Sequence, residues 1–290
     1  VATEMFVINS HDYVLFFTDK GRVYRLKCYE VPEGSRQSKG MNIANLLPIA
    51  ADEKVTSMIR VPEFDEEKYL VMVTRQGIIK RISLNAYNTA RKGGLIALEL
   101  NEGDELAWVR LTDGNQQVIV ATKNGLAIRF EETDVRPMGR QARGVKAISL
   151  REGDCVVGMC VVANDDLILT ASETGFGRIS NVSDYRLQSR GGKGITNYHT
   201  EKYGNVAAVS AVKLDEDIII ISQEGVIIRI AADTVRICNR PSKGVTLMRI
   251  GENDKVVTVA RAPHEDSESE KTEETAEEET SEENTAPETN

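Results

Sequence analysis

Short basic stretches of one kind punctuate this chain. They read Arg36-Gln-Ser-Lys39-Gly40, Arg140-Gln-Ala-Arg143-Gly144, Arg190-Gly-Gly-Lys193-Gly194 and Arg240-Pro-Ser-Lys243-Gly244, with Arg91-Lys92-Gly93-Gly94 as a degenerate copy between the first two. An arginine fork grips phosphate oxygens two at a time, and a lysine serves as a point charge beside it. Glycine lets the backbone come close to an anion and turn its amides toward it, which makes Gln188 through Gly194, with Gly191 and Gly192 adjacent, the best-formed copy. A single copy would be no more than a solvated turn. The terminal glycines at 144, 194 and 244 are fifty positions apart, so the cations form a periodic array. Its natural ligand is a periodic anion, and nucleic acid is the commonest.

The elements that carry these stretches recur with them. A β-rich run such as Tyr69-Leu-Val-Met-Val-Thr74 or Val118-Ile-Val-Ala-Thr122 is followed by two polar residues and a glycine, then by a second run such as Ile78-Ile-Lys-Arg81-Ile82 or Leu126-Ala-Ile-Arg129-Phe130. That order predicts a hairpin whose turn needs positive φ at glycine. The basic stretch follows, then a third strand expected over Val145–Leu150 and its counterparts, then a turn of the type Glu102-Gly103-Asp104 or Glu152-Gly153-Asp154 and a fourth strand. Four short strands per unit of about fifty residues predict an all-β radial array of antiparallel blades, a propeller-like fold. Five repeats are visible, and residues 1–10 read as the last strand of a further blade. Four of the second runs also carry an arginine, Arg25, Arg81, Arg129 and Arg229, with Arg178 one place earlier in the remaining repeat. These either extend the basic rim or sit on strand faces beside local carboxylates.

The 290 residues carry a formal net charge of −9, which argues against an anionic ligand until its distribution is seen. The stretch from Glu265 to Asn290 holds twelve of the 45 acidic residues and one of the 36 basic ones, leaving a body of about +2. Residues 264–290 are expected to be a disordered acidic tail, and residues 1–263 the folded domain. A tethered polyanion competes for a basic rim, so deleting the tail is expected to tighten anion binding. The four cysteines, Cys28, Cys155, Cys160 and Cys238, lack CxxC spacing and read as buried free thiols of a reducing compartment. His11, His199 and His264 show no ligand-like spacing, so no metal or other cofactor is expected. No catalytic set is apparent. Asp104 and Asp154 belong to repeated turns, and Trp108 to the core, since the other repeats place aliphatic residues there. A protein-interaction propeller would place apolar or aromatic residues, not cations, on the repeated rim loops.

Gln188-Ser-Arg-Gly-Gly-Lys-Gly194 resembles the seven-residue box of the bacterial DNA gyrase A family, Gln-Arg-Arg-Gly-Gly-Lys-Gly, with Ser189 in place of the first arginine. Leu15–Leu26, Glu102–Leu106 and Val135–Arg140 are similar to the C-terminal domain of that family, and the resemblance covers residues 1–262. It implies a β-pinwheel, a propeller variant whose strands swap between blades and whose rim wraps duplex DNA without sequence specificity. It further implies a part in ATP-dependent negative supercoiling, with the rest of gyrase A and, through it, gyrase B as partners in a cytoplasmic, nucleoid-associated heterotetramer. The cleavage tyrosine and the ATPase would lie outside this chain. The family's defining box sits in its first blade, whereas Arg36–Gly40 resembles the second, so the chain is expected to be a fragment of a longer protein. The corresponding C-terminal domain of topoisomerase IV is the related alternative.

Overall fold

The computed structural model describes residues 12–31 and 45–265. Arg36, Lys39, residues 1–10 and the tail beyond Glu265 lie outside the described residues. Five hairpins form the frame: Tyr13–Thr18 with Arg22–Lys27, Tyr69–Thr74 with Ile78–Ser83, Gln117–Thr122 with Leu126–Glu131, Leu167–Ser172 with Phe176–Asn181, and Glu216–Ser222 with Ile227–Ala231. A buried hydroxyl residue ends the first strand of each, at Thr18, Thr74, Thr122, Ser172 and Ser222. Its side chain accepts the amide four residues on, at 3.2 Å between Thr74 and Ile78. The turn glycine just ahead of the second strand takes positive φ, +83° at Gly77. Thr/Ser-x-x-Gly is thus a self-closing turn, legible in the chain as such.

The repeated aspartates lock these turns from outside. Asp104 Oδ1 accepts the amides of Gln76 at 3.0 Å and Glu105 at 2.7 Å. Asp154 does the same for Asn124 and Cys155, and Asp254 for Glu224 and Lys255. Each thereby ties the start of the inner strand to the hairpin of the same blade.

The inner strands are Val55–Val61, Leu106–Thr112, Val156–Val162, Val206–Val212 and Val256–Pro263, each antiparallel to the first strand of its hairpin. Successive inner strands contact one another around a central channel of about 1180 Å³, lined in part by Trp108 and Val157. Trp108 packs partly against the core and has Arg75 over its ring at 5.1 Å. The core itself lies between blades: Leu15 and Phe17 of the first pack with Leu70 and Met72 of the second. A lone four-stranded sheet cannot cover both faces, so aliphatic side chains of neighbours interdigitate. Cys28 and Cys160 are buried free thiols, whereas Cys155 and Cys238 are only half-buried, which corrects the expectation for those two.

The predicted third strand is shorter than expected and belongs elsewhere. Leu95–Ile96, Val145–Lys146, Ile195–Thr196 and Val245–Thr246 are two-residue strands, each added to the outer hairpin strand of the preceding blade. They stop after two residues because the next amide turns inward to the preceding hairpin's glycine carbonyl, Ala147 to Gly77 at 2.8 Å and Leu247 to Gly175 at 2.8 Å. The side chain there then enters the core. Four sheets are four-stranded by this exchange; among the described residues the fifth has three strands, with Ile227–Ala231 at its outer edge.

Candidate nucleic-acid interface

Because each exchanged strand directly follows a basic stretch, the exchange fixes the stretch on the outer rim of the preceding blade. The terminal glycine makes the docking possible. Gly194 has φ +76°, and a Cβ there would lie 2.5 Å from the carbonyl oxygen of Ala127 on the strand it joins. Arg91 and Lys92 before Leu95, Arg140 and Arg143 before Val145, Lys193 before Ile195 and Lys243 before Val245 are all exposed on this perimeter.

The residues within a stretch divide their work. Arg190 donates from Nε to the Asp134 carbonyl and from Nη1 to the Lys146 carbonyl, both at 3.0 Å. Arg240 repeats this fifty residues on, to the carbonyls of Asp184 (2.9 Å) and Thr196. It also lies over the Tyr185 ring at 5.6 Å. Arg190 and Arg240 therefore tie their rim loops to the one before through Nε and Nη1. The paired glycines are engaged too: the Gly191 amide donates to the Ala147 carbonyl at 2.7 Å, and Ser149 donates to the carbonyls of Gly191 and Gly192. The expectation that these amides point toward an anion is corrected for Gly191, because loop-to-loop pairing uses it. The second cation is freer. No carboxylate pairs with Lys193 or Lys243 among the described residues, although Lys243 rests 3.9 Å above the Phe176 ring. Arg143 is the exception, pairing with Glu99 at 2.7 Å on an exposed surface, where such a pair holds weakly.

Of the strand arginines, Arg81, Arg129 and Arg178 are turned away from the rim surface, whereas Arg229 is exposed on the outer strand of the fifth blade. Arg81 and Arg129 are buried, and their donors go to carbonyls of the next repeat's loop: Arg81 Nε to Val135 at 2.7 Å, Arg129 Nη1 to Tyr185 at 2.9 Å. Arg25 donates to the Asn88 carbonyl at 2.5 Å. Arg229 donates to the Pro263 carbonyl at 2.6 Å and pairs with Asp217 at 2.8 Å. Irregular loops leave carbonyls without ladder partners, and a five-donor guanidinium satisfies several at once. Arg178 is fully buried, donating to the carbonyl and side chain of Asn197, whose Oδ1 also accepts the Tyr185 hydroxyl at 2.5 Å. Burial pulls the Arg178 pKa down and pushes that of Tyr185 up. Lys80 holds the corresponding place two blades earlier, donating to the carbonyls of Ala97 (2.7 Å) and Arg140 (2.6 Å), and burial lowers its pKa to about 8. These side chains position the rim loops; Arg178, Arg81 and Arg129 offer almost no surface to a ligand.

A further set of cations does face outward. Arg136, Arg186 and Arg236 are exposed, fifty positions apart, each four residues before a motif arginine. No carboxylate pairs with them among the described residues; Arg186 makes only an exposed 3.3 Å bond to Gln188. Their spacing alone, identical to that of the glycines, could have identified them.

The family model of the DNA gyrase C-terminal domain, described as a beta-propeller, matches residues 12–62, 68–113, 116–162, 166–213 and 216–263, one segment per blade. DNA gyrase A of Halalkalibacterium halodurans is 55% identical over 142 residues, which are 49% of this chain and 17% of that protein. The same protein of Clostridium acetobutylicum is 51% identical over 142 residues, with the same coverage. The matched stretch is thus a small part of the curated relatives. Among solved structures, the C-terminal domain of DNA topoisomerase IV superposes with a TM-score of 0.82 at 28% identity, covering 94% of this chain and 85% of that one. The DNA gyrase A C-terminal domain gives 0.75 at 28% identity, covering 88% and 84%. The family model thus matches a segment in each of the five blades and most of the chain, and the chain belongs to the DNA gyrase C-terminal domain family.

Proposed function

We propose that this domain binds duplex DNA along its basic rim, without reading base sequence, and bends it around the blades as part of DNA gyrase A. The observation that supports this most is the exchange geometry, which places equivalent cations at the same position on successive blades. A radial arrangement turns that line of charge into an arc. Duplex lying on the arc has its inner phosphates neutralised, and those contacts offset a bending cost on the order of 1–6 kcal/mol for a 20–30 bp site. In the full enzyme the wrap would present a DNA segment for passage and bias ATP-dependent strand passage toward negative supercoiling, with gyrase B supplying the ATPase. The compartment would be the bacterial cytoplasm, at the nucleoid. Curated relatives at 51% and 55% identity are gyrase A proteins, and they favour the gyrase assignment. The acidic tail is proposed to compete with DNA for the rim; Glu265 at its root lies 3.3 Å from Arg229 on the outer edge of the fifth blade.

Binding to a linear duplex, titrated against salt, tests this. Each phosphate contact adds about −0.9 to the log–log salt slope, so several exposed rim cations give a steep slope. Replacing Lys193 and Lys243 with alanine should weaken binding and make the slope shallower by roughly 2. A complex indifferent to salt, or no complex, would favour a protein-interaction propeller instead.

A further inference from the structure

The outward arginines have a constant neighbour. Pro137, Leu187 and Ile237 follow Arg136, Arg186 and Arg236, and all three are exposed, Leu187 and Ile237 each at 44%. The pairs are held in one geometry: Pro137 lies beside Arg81, Leu187 beside Arg129 and Ile237 beside Ile179 as parallel bridges on the outer strand of the preceding blade. The following amides close the clamp, Met138 to Arg81 (2.9 Å), Gln188 to Arg129 (2.9 Å) and Cys238 to Ile179 (2.8 Å). An isolated exposed apolar residue needs no explanation. Three in register, each between an arginine without a carboxylate partner among the described residues and a basic stretch, form a repeated surface of one chemistry.

We propose that Arg136, Arg186 and Arg236 enter the minor groove of the bound duplex, one per blade, with Pro137, Leu187 and Ile237 against the deoxyribose faces of its walls. This rests on the reading that the rim binds duplex DNA. A phosphate site calls for donors alone, and an adjoining apolar side chain adds nothing to it. A minor groove has apolar sugar walls, an acceptor-lined floor and, where narrow, a deepened negative potential that draws arginine in. Duplex curved around a convex surface narrows its minor groove wherever that groove faces inward, the situation in which arginines are inserted around a histone core. Arg190 and Arg240 are poorly suited to this because two donor positions of each are spent on neighbouring loops. The apolar residues are walls rather than wedges. Insertion between base steps from the minor groove kinks the duplex toward its major groove, which here would drive it off the rim.

Groove width depends on sequence, so the rim should prefer A·T runs placed once per helical turn, without reading any base. Two duplexes of equal length, one with phased A·T runs and one rich in G·C, are to be compared for affinity at fixed salt. The wild-type chain should favour the phased duplex severalfold. The Arg136→Gln/Arg186→Gln/Arg236→Gln variant should bind both equally. Leu187→Asn/Ile237→Asn, which leaves the charge untouched, should also reduce the ratio. Lys193→Ala/Lys243→Ala should weaken both duplexes by the same factor and keep the ratio. A wild-type ratio of one, or a ratio that survives the triple arginine substitution, overturns the minor-groove assignment while leaving rim binding in place. Failure of the wild type to bind either duplex overturns rim binding itself.

Discussion

Arg178 shows what a buried guanidinium contributes here. Its Nη2 holds Asn197, and Asn197 holds the Tyr185 hydroxyl, so one polar knot joins the hairpin of the fourth blade to the loop that follows it. Burial takes this charge from water, and the Nη2 bonds offset part of that cost while Nε and Nη1 are left without partners among the described residues. Arg178→Ala removes the donor, opens a cavity among Tyr185, Tyr198 and Asn197, and is expected to cost about 3 kcal/mol of unfolding free energy. Because this guanidinium faces inward, the folded variant should keep the salt slope of the wild type for DNA; a shallower slope at unchanged stability would place Arg178 on the rim after all. Cations of opposite fate look alike in the chain. Arg129 and Lys193 both follow a turn glycine or a glycine pair at fixed spacing, yet one is spent on the Tyr185 carbonyl and the other faces solvent. Which is which depends on the neighbouring repeat's loop, and no local pattern carries that information.

At the level of elements, the hairpins need almost nothing from outside, and the exchanged strands need everything. Thr/Ser-x-x-Gly closes its own turn through one hydroxyl and one positive φ, which is why all five hairpins are readable from the chain. The two-residue strands depend on a partner in the preceding blade, so local pattern points instead to a longer strand in their own unit. The fifth blade shows what an outer strand exposes where, among the described residues, no exchanged strand joins it. Val226 and Ile227 are 51% and 62% exposed, whereas Val23, Ile79 and Ala127, the counterparts of Ile227, are fully covered. An open apolar edge is a template for further pairing. The chain is therefore expected to self-associate at high concentration in sedimentation experiments, and Ile227→Lys to suppress this without lowering the melting temperature. Association that persists unchanged in the variant would show that this edge is not the cause.

Across the whole molecule, charge and curvature come from the same exchange. Each strand handed back to the preceding blade closes a sheet, buries a core between two blades and sets a basic loop on the perimeter. The net charge of −9 conceals this, because the excess of negative charge lies after position 264 while the rim cations are dispersed and periodic. Repeat number, blade architecture and the positions of the basic loops are legible in the chain, since each follows from periodicity. The series of loop-to-loop bonds through Arg190 and Arg240 is not, because it joins residues about fifty positions apart that acquire partners only after the blades stack. The central claim is that the basic perimeter curves a duplex. Its most direct measurement is energy transfer between dyes at the two ends of a duplex of roughly 100 bp, shorter than the persistence length and therefore nearly straight when free. Binding of the wild-type chain should bring the ends closer, and rising salt should reverse the effect together with binding. A bound duplex whose ends stay as far apart as in the free state would contradict it.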